Sequence, residues 1–148
     1  MPWINLTMRK GALDQQQQAA VMARLTDALM HWEHVPDTPV ARRVMKGWVY
    51  EVESGADYIG GSPEHARPSY FVEVRIPAGR LTRLDKSGIM RDFAQILIEA
   101  EERVPLPEEL RRVWVTIVEL EAEDWGIGGH TDWLRAYESA LPNPVGQV

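Results

Sequence analysis

Two stretches of this chain, WVYEVESGADYIGG from Trp48 and WVTIVELEAEDWGIGG from Trp114, share a residue order that an unrepeated domain has no reason to contain. Trp48 and Trp114 stand 66 residues apart, Leu13-Asp14 matches Leu84-Asp85 at 71, and Val35-Pro36 matches Val104-Pro105 at 69. Each matching stretch follows a helical pattern, and each helical pattern follows an alternating one. The repeated unit is therefore strand, helix, strand. A long period with only two copies describes a fused duplicate rather than a solenoid. A β-α-β unit holds its strands parallel, with the helix crossing one face in a right-handed connection. Two tandem β-α-β units side by side predict an α/β (α+β) fold, a four-stranded sheet with two helices on one face. The chain reads as a single domain over 1–148, with pseudo-repeat halves 1–66 and 67–129 and a C-terminal arm at 130–148.

Local patterns support each element. From Trp3 to Met8 the residues alternate, with Ile4, Leu6 and Met8 on one side, as in a half-buried strand. Asp14 is placed to cap a helix that begins with four glutamines, which read as a solvated face, and continues AAVMARLTDALMHW. Val21, Leu25, Ala28, Leu29 and Trp32 fall on one side of it. VPDTP stops that helix, and RRVMKGWVYEVE reads as the second strand. In the second half SYFVEVRI is a strand. LDKSGIMRDFAQILIEAEERV is a helix burying Ile89, Phe93, Ile96, Leu97 and Ala100, and RRVWVTIVEL is the last strand. Helices on one face leave the other bare. Trp3, Trp48, Trp114, Thr116 and Val118 are candidates for it, and large apolar groups on an open face predict an oligomer.

Composition narrows the function. A net charge of −6 without a basic cluster argues against nucleic acid as a partner. The absence of cysteine removes disulfides, thiolate nucleophiles and cysteine metal sites. No run approaches a membrane span, and the first residues lack a signal-peptide pattern, so a cytoplasmic protein is expected. His31, His34, His65 and His130 have no metal-binding spacing. His31 and His34 read instead as cations at a helix end.

Pro2 directly follows the initiator, at the head of the first strand. A Gly-Arg pair stands at 79–80 before the second helix, and DWGIGG occupies 124–129. With the duplication and the length, these residues resemble the tautomerase superfamily. Its 4-oxalocrotonate tautomerase subunits are single β-α-β units, and its longer members include the cis-3-chloroacrylic acid dehalogenase group and malonate semialdehyde decarboxylase. The resemblance runs from Pro2 to about Gly129. It implies a homotrimer of fused subunits, a small carboxylate substrate, no cofactor, and a catalytic amine exposed once Met1 is removed. An α-amino group titrates near 8 in water, so a modest downward shift makes it a base at neutral pH. On this reading Pro2 takes a proton from the carbon beside a ketone and returns it elsewhere, which is keto-enol tautomerisation.

The resemblance also assigns partners. Arg80 matches a carboxylate-binding arginine, a role that suits a planar guanidinium. The corresponding turn in the first half reads KGA, with Ala12 in the arginine's place, which implies one working site per chain. Trp125 falls where a phenylalanine walls the site in single-unit relatives. Asp124 lies near a water-activating glutamate of the dehalogenases. Arg75, Trp114 and Thr116 occupy or adjoin further substrate-binding positions. The departures are equally informative. A dehalogenase histidine aligns with Leu29, one arginine of a pair falls at Pro77, a tyrosine becomes Thr116, and a second carboxylate-binding arginine aligns with Trp114. The set needed for dehalogenation is mostly missing. Three functions compete: a tautomerase acting on a small 2-oxo acid or its enol, a decarboxylase or hydratase of a three-carbon acid, and a non-catalytic trimeric binding protein.

Overall fold

A computed structural model describes residues 2–63 and 66–131. The element order is β1 (Trp3–Arg9), α1 (Gln15–Trp32), α2 (Pro39–Val44), β2 (Lys46–Val52), β3 (Tyr70–Pro77), α3 (Arg83–Ala100), α4 (Pro107–Leu110) and β4 (Val113–Leu120), followed by a 3-10 turn at Ala122–Asp124. The four strands form one mixed sheet in the order β2-β1-β3-β4. Strands pair in parallel within each unit, β1 with β2 and β3 with β4, and the two units meet antiparallel through β1 and β3.

The core lies between the sheet and the two long helices. Ile4, Leu6 and Met8 from β1 and Tyr70, Val72, Val74 and Ile76 from β3 meet Val21, Leu25 and Leu29 of α1 and Ile89, Phe93 and Leu97 of α3. The alternation in β1 and β3 predicts this face, because a period of two turns every second side chain inward. Ala28, Trp32 and Ala100 are only partly buried, at the margins of the same cluster. Trp32 locks the helices together. Its ring fills the place where Gly88 lacks a Cβ, which would lie 2.3 Å from the indole, and its Nε1 donates to Asp92 Oδ2 at 2.8 Å.

The duplication is more regular than the sequence matches imply. Ile4 pairs with Gly47 and Val72 with Val115, so the register recurs at a constant offset of 68 residues. Gly11 and Gly79 share a positive φ, as do His34 and Glu102, again 68 apart. Each half also ends in a small bridge, Ile59 with Ser62 and Ile127 with His130. The matches at 66, 69 and 71 are thus near misses. Trp48 corresponds to Thr116, not to Trp114, and an offset wrong by two survives in a strand because it preserves the face. The match of Asp14 to Asp85 misleads for another reason. Asp14 is the N-cap of α1 with Gln17 closing the capping box, whereas in α3 the cap is Thr82 and the acid has moved to the third position.

Two local expectations are corrected. The second strand begins at Lys46, and Arg42, Arg43 and Val44, expected as its start, belong instead to the short helix α2. Thr38 Oγ1 caps it by accepting from the Ala41 N–H at 3.1 Å, and Pro39 at its first turn needs no hydrogen-bond partner. The glutamine tract is not merely a solvated face. Gln17 accepts from the Asp14 N–H at 2.8 Å and donates to the Ala100 carbonyl at 2.9 Å, tying the start of α1 to the end of α3.

The bare face is as expected. Trp48 is 46% exposed, Tyr50 50%, Phe71 44% and Trp114 66%. Gly88→Ala tests the helix contact: the added methyl collides with the Trp32 ring, so unfolding in urea should show a loss of roughly 1–3 kcal/mol.

Candidate active site

The antiparallel pairing of β1 with β3 sets Trp3 opposite Arg75, so the start of the chain lies beside the end of β3. The parallel pairing of β3 with β4 brings Leu120 to Pro77. The same arrangement runs the end of α1 past the start of α3, where His34 Nε2 approaches Asp85 Oδ1 at 3.4 Å. Four chain segments therefore converge, and between them lies a cavity of about 630 Å³.

Pro2, Arg80 and Trp125 all line this cavity. Pro2 is buried and Trp125 half-buried, while Arg80 is exposed at the mouth. Gly79 supplies the left-handed backbone, φ 74°, that turns the chain from β3 toward α3 and presents Arg80. Arg80 forms no hydrogen bond or ion pair among the described residues, so its guanidinium is available to an anion. The remaining wall is largely apolar, with Val35, Val40, Val44, Met45, Pro77 and Leu120 among its residues.

The other expected site residues lie elsewhere within the chain. Asp124 is exposed in the 3-10 turn, with its N–H bonded to the Glu121 carbonyl at 3.0 Å, and does not line the cavity. The turn after β4 aims its neighbour Trp125 inward instead. Arg75 stands on the bare sheet face, bonded to Glu73 at 2.6 Å and lying over the Trp3 ring at 5.6 Å. Trp114 and Thr116 are exposed on that same face. Strand periodicity is the reason. Residues 75, 114 and 116 have the parity that points away from the helices, and the cavity opens at the strand ends. Residues 132–148 of the expected C-terminal arm fall outside the described residues.

Sequence reasoning missed Glu33. It caps the C-terminus of α1, lines the cavity, and is only 6% exposed. Its Oε2 is fully buried and has no hydrogen-bond partner among the described residues. Burial raises its pKa to about 7, against the opposing pull of the amino-terminal charge and of Arg80. The signal was the charge itself: an acid directly after the last apolar position of a helix, followed by His34 at φ 56° and then by Pro36.

The repeat supplies an internal comparison. Glu101 occupies the equivalent position, 68 residues on, at the C-cap of α3. There the acid is fully engaged: Arg112 reaches both carboxylate oxygens, at 2.9 and 2.7 Å, and the Tyr70 hydroxyl donates at 2.6 Å. Burial alone would raise its pKa, but those bonds outweigh it and hold the carboxyl below its usual range. Tyr70 occupies the position equivalent to Pro2, and its backbone N–H is bonded to the Arg112 carbonyl at 2.8 Å. With Ala12 where Arg80 would stand, the second half-site has neither a free amine nor an open guanidinium. The asymmetry between Ala12 and Arg80 is visible in sequence; the closure by Tyr70 and Arg112 is not.

The fold is that of the tautomerase superfamily. N1, a member of the cis-3-chloroacrylic acid dehalogenase family, superposes with a TM-score of 0.74 at 21% identity, over 95% of this chain and 92% of that one. The F6 fused 4-OT asymmetric trimer gives 0.71 at 19% identity, over 90% and 98%. Pt0534 inactivated by 2-oxo-3-pentynoate gives 0.69 at 15% identity, over 86% and 92%. No family model and no curated protein matches the sequence.

The perturbed carboxyl has a thermodynamic signature. A folded-state pKa near 7 against an ordinary 4.5 means that Glu33 favours the fold fully below pH 4.5. That contribution is lost as pH rises through 7. Glu33→Gln, which cannot ionise, should therefore gain stability relative to the wild type between pH 5 and pH 8, by on the order of 3 kcal/mol in urea titrations.

Proposed function

We propose that this chain is a cofactor-free tautomerase acting on a small 2-oxo acid or its enol, with Pro2 as the proton carrier after removal of Met1. The observation that supports it most is the meeting of Pro2, Arg80 and Trp125 in one cavity, although they come from the two ends of the described chain and its middle. Once Met1 is removed, a secondary amine in this largely apolar cavity would lose part of its preference for the charged form and become a base near neutral pH. Arg80 binds the substrate carboxylate and draws electron density from the enolising carbon. Trp125 and the apolar wall exclude water. Arg80 is the one cationic side chain lining the cavity among the described residues, beside the acids Glu33 and Glu121, which favours a monocarboxylate over a dicarboxylate.

The assembly is a homotrimer on this reading. Trp48, Tyr50, Phe71 and Trp114 form a broad aromatic surface on the bare face, and the fused 4-OT structures of similar fold are trimers. The decarboxylase or hydratase alternative is weaker, because Asp124 does not line the cavity. The non-catalytic alternative predicts a retained Met1.

Intact-mass measurement of the native protein decides that last point: loss of the initiator is the expected result. Incubation with 2-oxo-3-pentynoate, the compound that inactivated Pt0534, should then add one equivalent at Pro2. Ketonisation of phenylenolpyruvate should fall by at least about 100-fold in Pro2→Ala. In Arg80→Ala the same assay should show a raised KM, by roughly tenfold or more, as expected for a lost charged contact. Light scattering should give three times the mass of one chain.

A further inference from the structure

Keto-enol tautomerisation moves one proton at carbon and one at oxygen, and a second group besides the amine can serve the oxygen. Glu33 is the buried carboxyl in the same cavity, 94% removed from solvent, with one oxygen lacking any hydrogen-bond partner among the described residues. A structural role does not explain this. At the equivalent position Glu101 is held by Arg112 and Tyr70, and there the carboxylate ties β3 and the β4 entry to the end of α3. Glu33 ties nothing in that way, and an unpaired buried carboxyl costs stability. Its free oxygen is complementary to a hydroxyl donor brought by a ligand.

We propose that Glu33 is the oxygen-side proton carrier of this cavity, serving the enol hydroxyl of the substrate while Pro2 serves its carbon. This rests on the reading of Pro2 given above. In ketonisation the Glu33 carboxylate accepts the enol O–H proton, and the O–H electron pair forms the carbonyl. The enol π pair takes a proton from the Pro2 ammonium, forming the new C–H bond and leaving the neutral amine. One proton then passes from the Glu33 carboxyl to the amine through solvent, restoring the starting charges. Enolisation runs the same steps backward. The substrate class is thus a 2-hydroxy-2-alkenoic acid, whose hydroxyl sits beside the carboxylate held by Arg80. The charged and titratable groups facing Glu33 are the chain's amino terminus, which becomes the Pro2 amine once Met1 is removed, and Arg80 and Glu121 in the cavity, with the His34–Asp85 pair beside it.

The test follows phenylenolpyruvate ketonisation in the wild type, Glu33→Gln, Glu33→Asp and Pro2→Ala, alongside mass-detected labelling of Pro2 by 2-oxo-3-pentynoate. Glu33→Gln should lower kcat by about 100-fold with KM changed less than about threefold, the mark of an interaction made in the transition state. The acid limb of the wild-type pH–rate profile should vanish in that variant, since no carboxylate remains to be formed, while the alkaline limb belonging to Pro2 persists. Glu33→Asp should restore the acid limb and part of the rate, which a merely structural role would not do. Labelling of Pro2 in Glu33→Gln should proceed as in the wild type. Full activity with both limbs in Glu33→Gln, with Pro2 labelled and Pro2→Ala inactive, overturns the role of Glu33 and leaves that of Pro2 standing. A wild type that does not ketonise the enol, or an active Pro2→Ala with Pro2 unlabelled, overturns both.

Discussion

The antiparallel pairing of β1 with β3 is the contact on which the rest of the molecule depends. It joins two β-α-β units into one sheet, places both long helices on the same face, and sets the head of β1 beside the turn that carries Arg80. Either unit alone would expose the apolar flank of its helix and one edge of its two-stranded sheet. Together they bury Ile4, Leu6 and Met8 against Val72, Val74 and Ile76 under α1 and α3. The cavity follows from the same geometry, because it opens where the strand ends of one unit meet the helix end of the other.

Duplication makes two equivalent corners, and the side chains make them unlike. At one corner a carboxylate is saturated by Arg112 and by the Tyr70 hydroxyl, and the strand entry is an ordinary amide. At the other, Glu33 keeps a bare oxygen, and the strand is headed by Pro2. The two acids share a backbone position, yet their pKa values move in opposite directions. Burial is common to both, so the difference lies in the partners. An interior carboxyl that no described residue satisfies is the kind of group that a ligand satisfies.

Much of this architecture was legible in the residues. Alternation at Trp3–Met8 and in SYFVEVRI marked the inward face, and Val21, Leu25, Leu29, Ile89, Phe93 and Leu97 marked the helix stripes. Those patterns are local and periodic, so they survive without knowledge of what lies across the core. The register of the repeat was less legible, since matches at 66 and 71 preserved face or function without true equivalence. Of the site residues, Pro2, Arg80 and Trp125 meet in the cavity, whereas Arg75, Asp124, Trp114 and Thr116 do not. Alignment places a residue near a turn or on a strand; it does not say which way the turn aims its side chain.

The amino-acid order alone determined two β-α-β units, their buried faces, and the asymmetry between Ala12 and Arg80, because these depend on short-range periodicity and on residue identity. Only the tertiary structure decided that Glu33 faces the cavity with no partner among the described residues while Glu101 is bound. Whether a carboxylate is satisfied depends on side chains from other elements: Tyr70 and Arg112 reach Glu101 because β3 and β4 pair beside the end of α3, and the antiparallel junction sets Arg80, not such a pair, near Glu33.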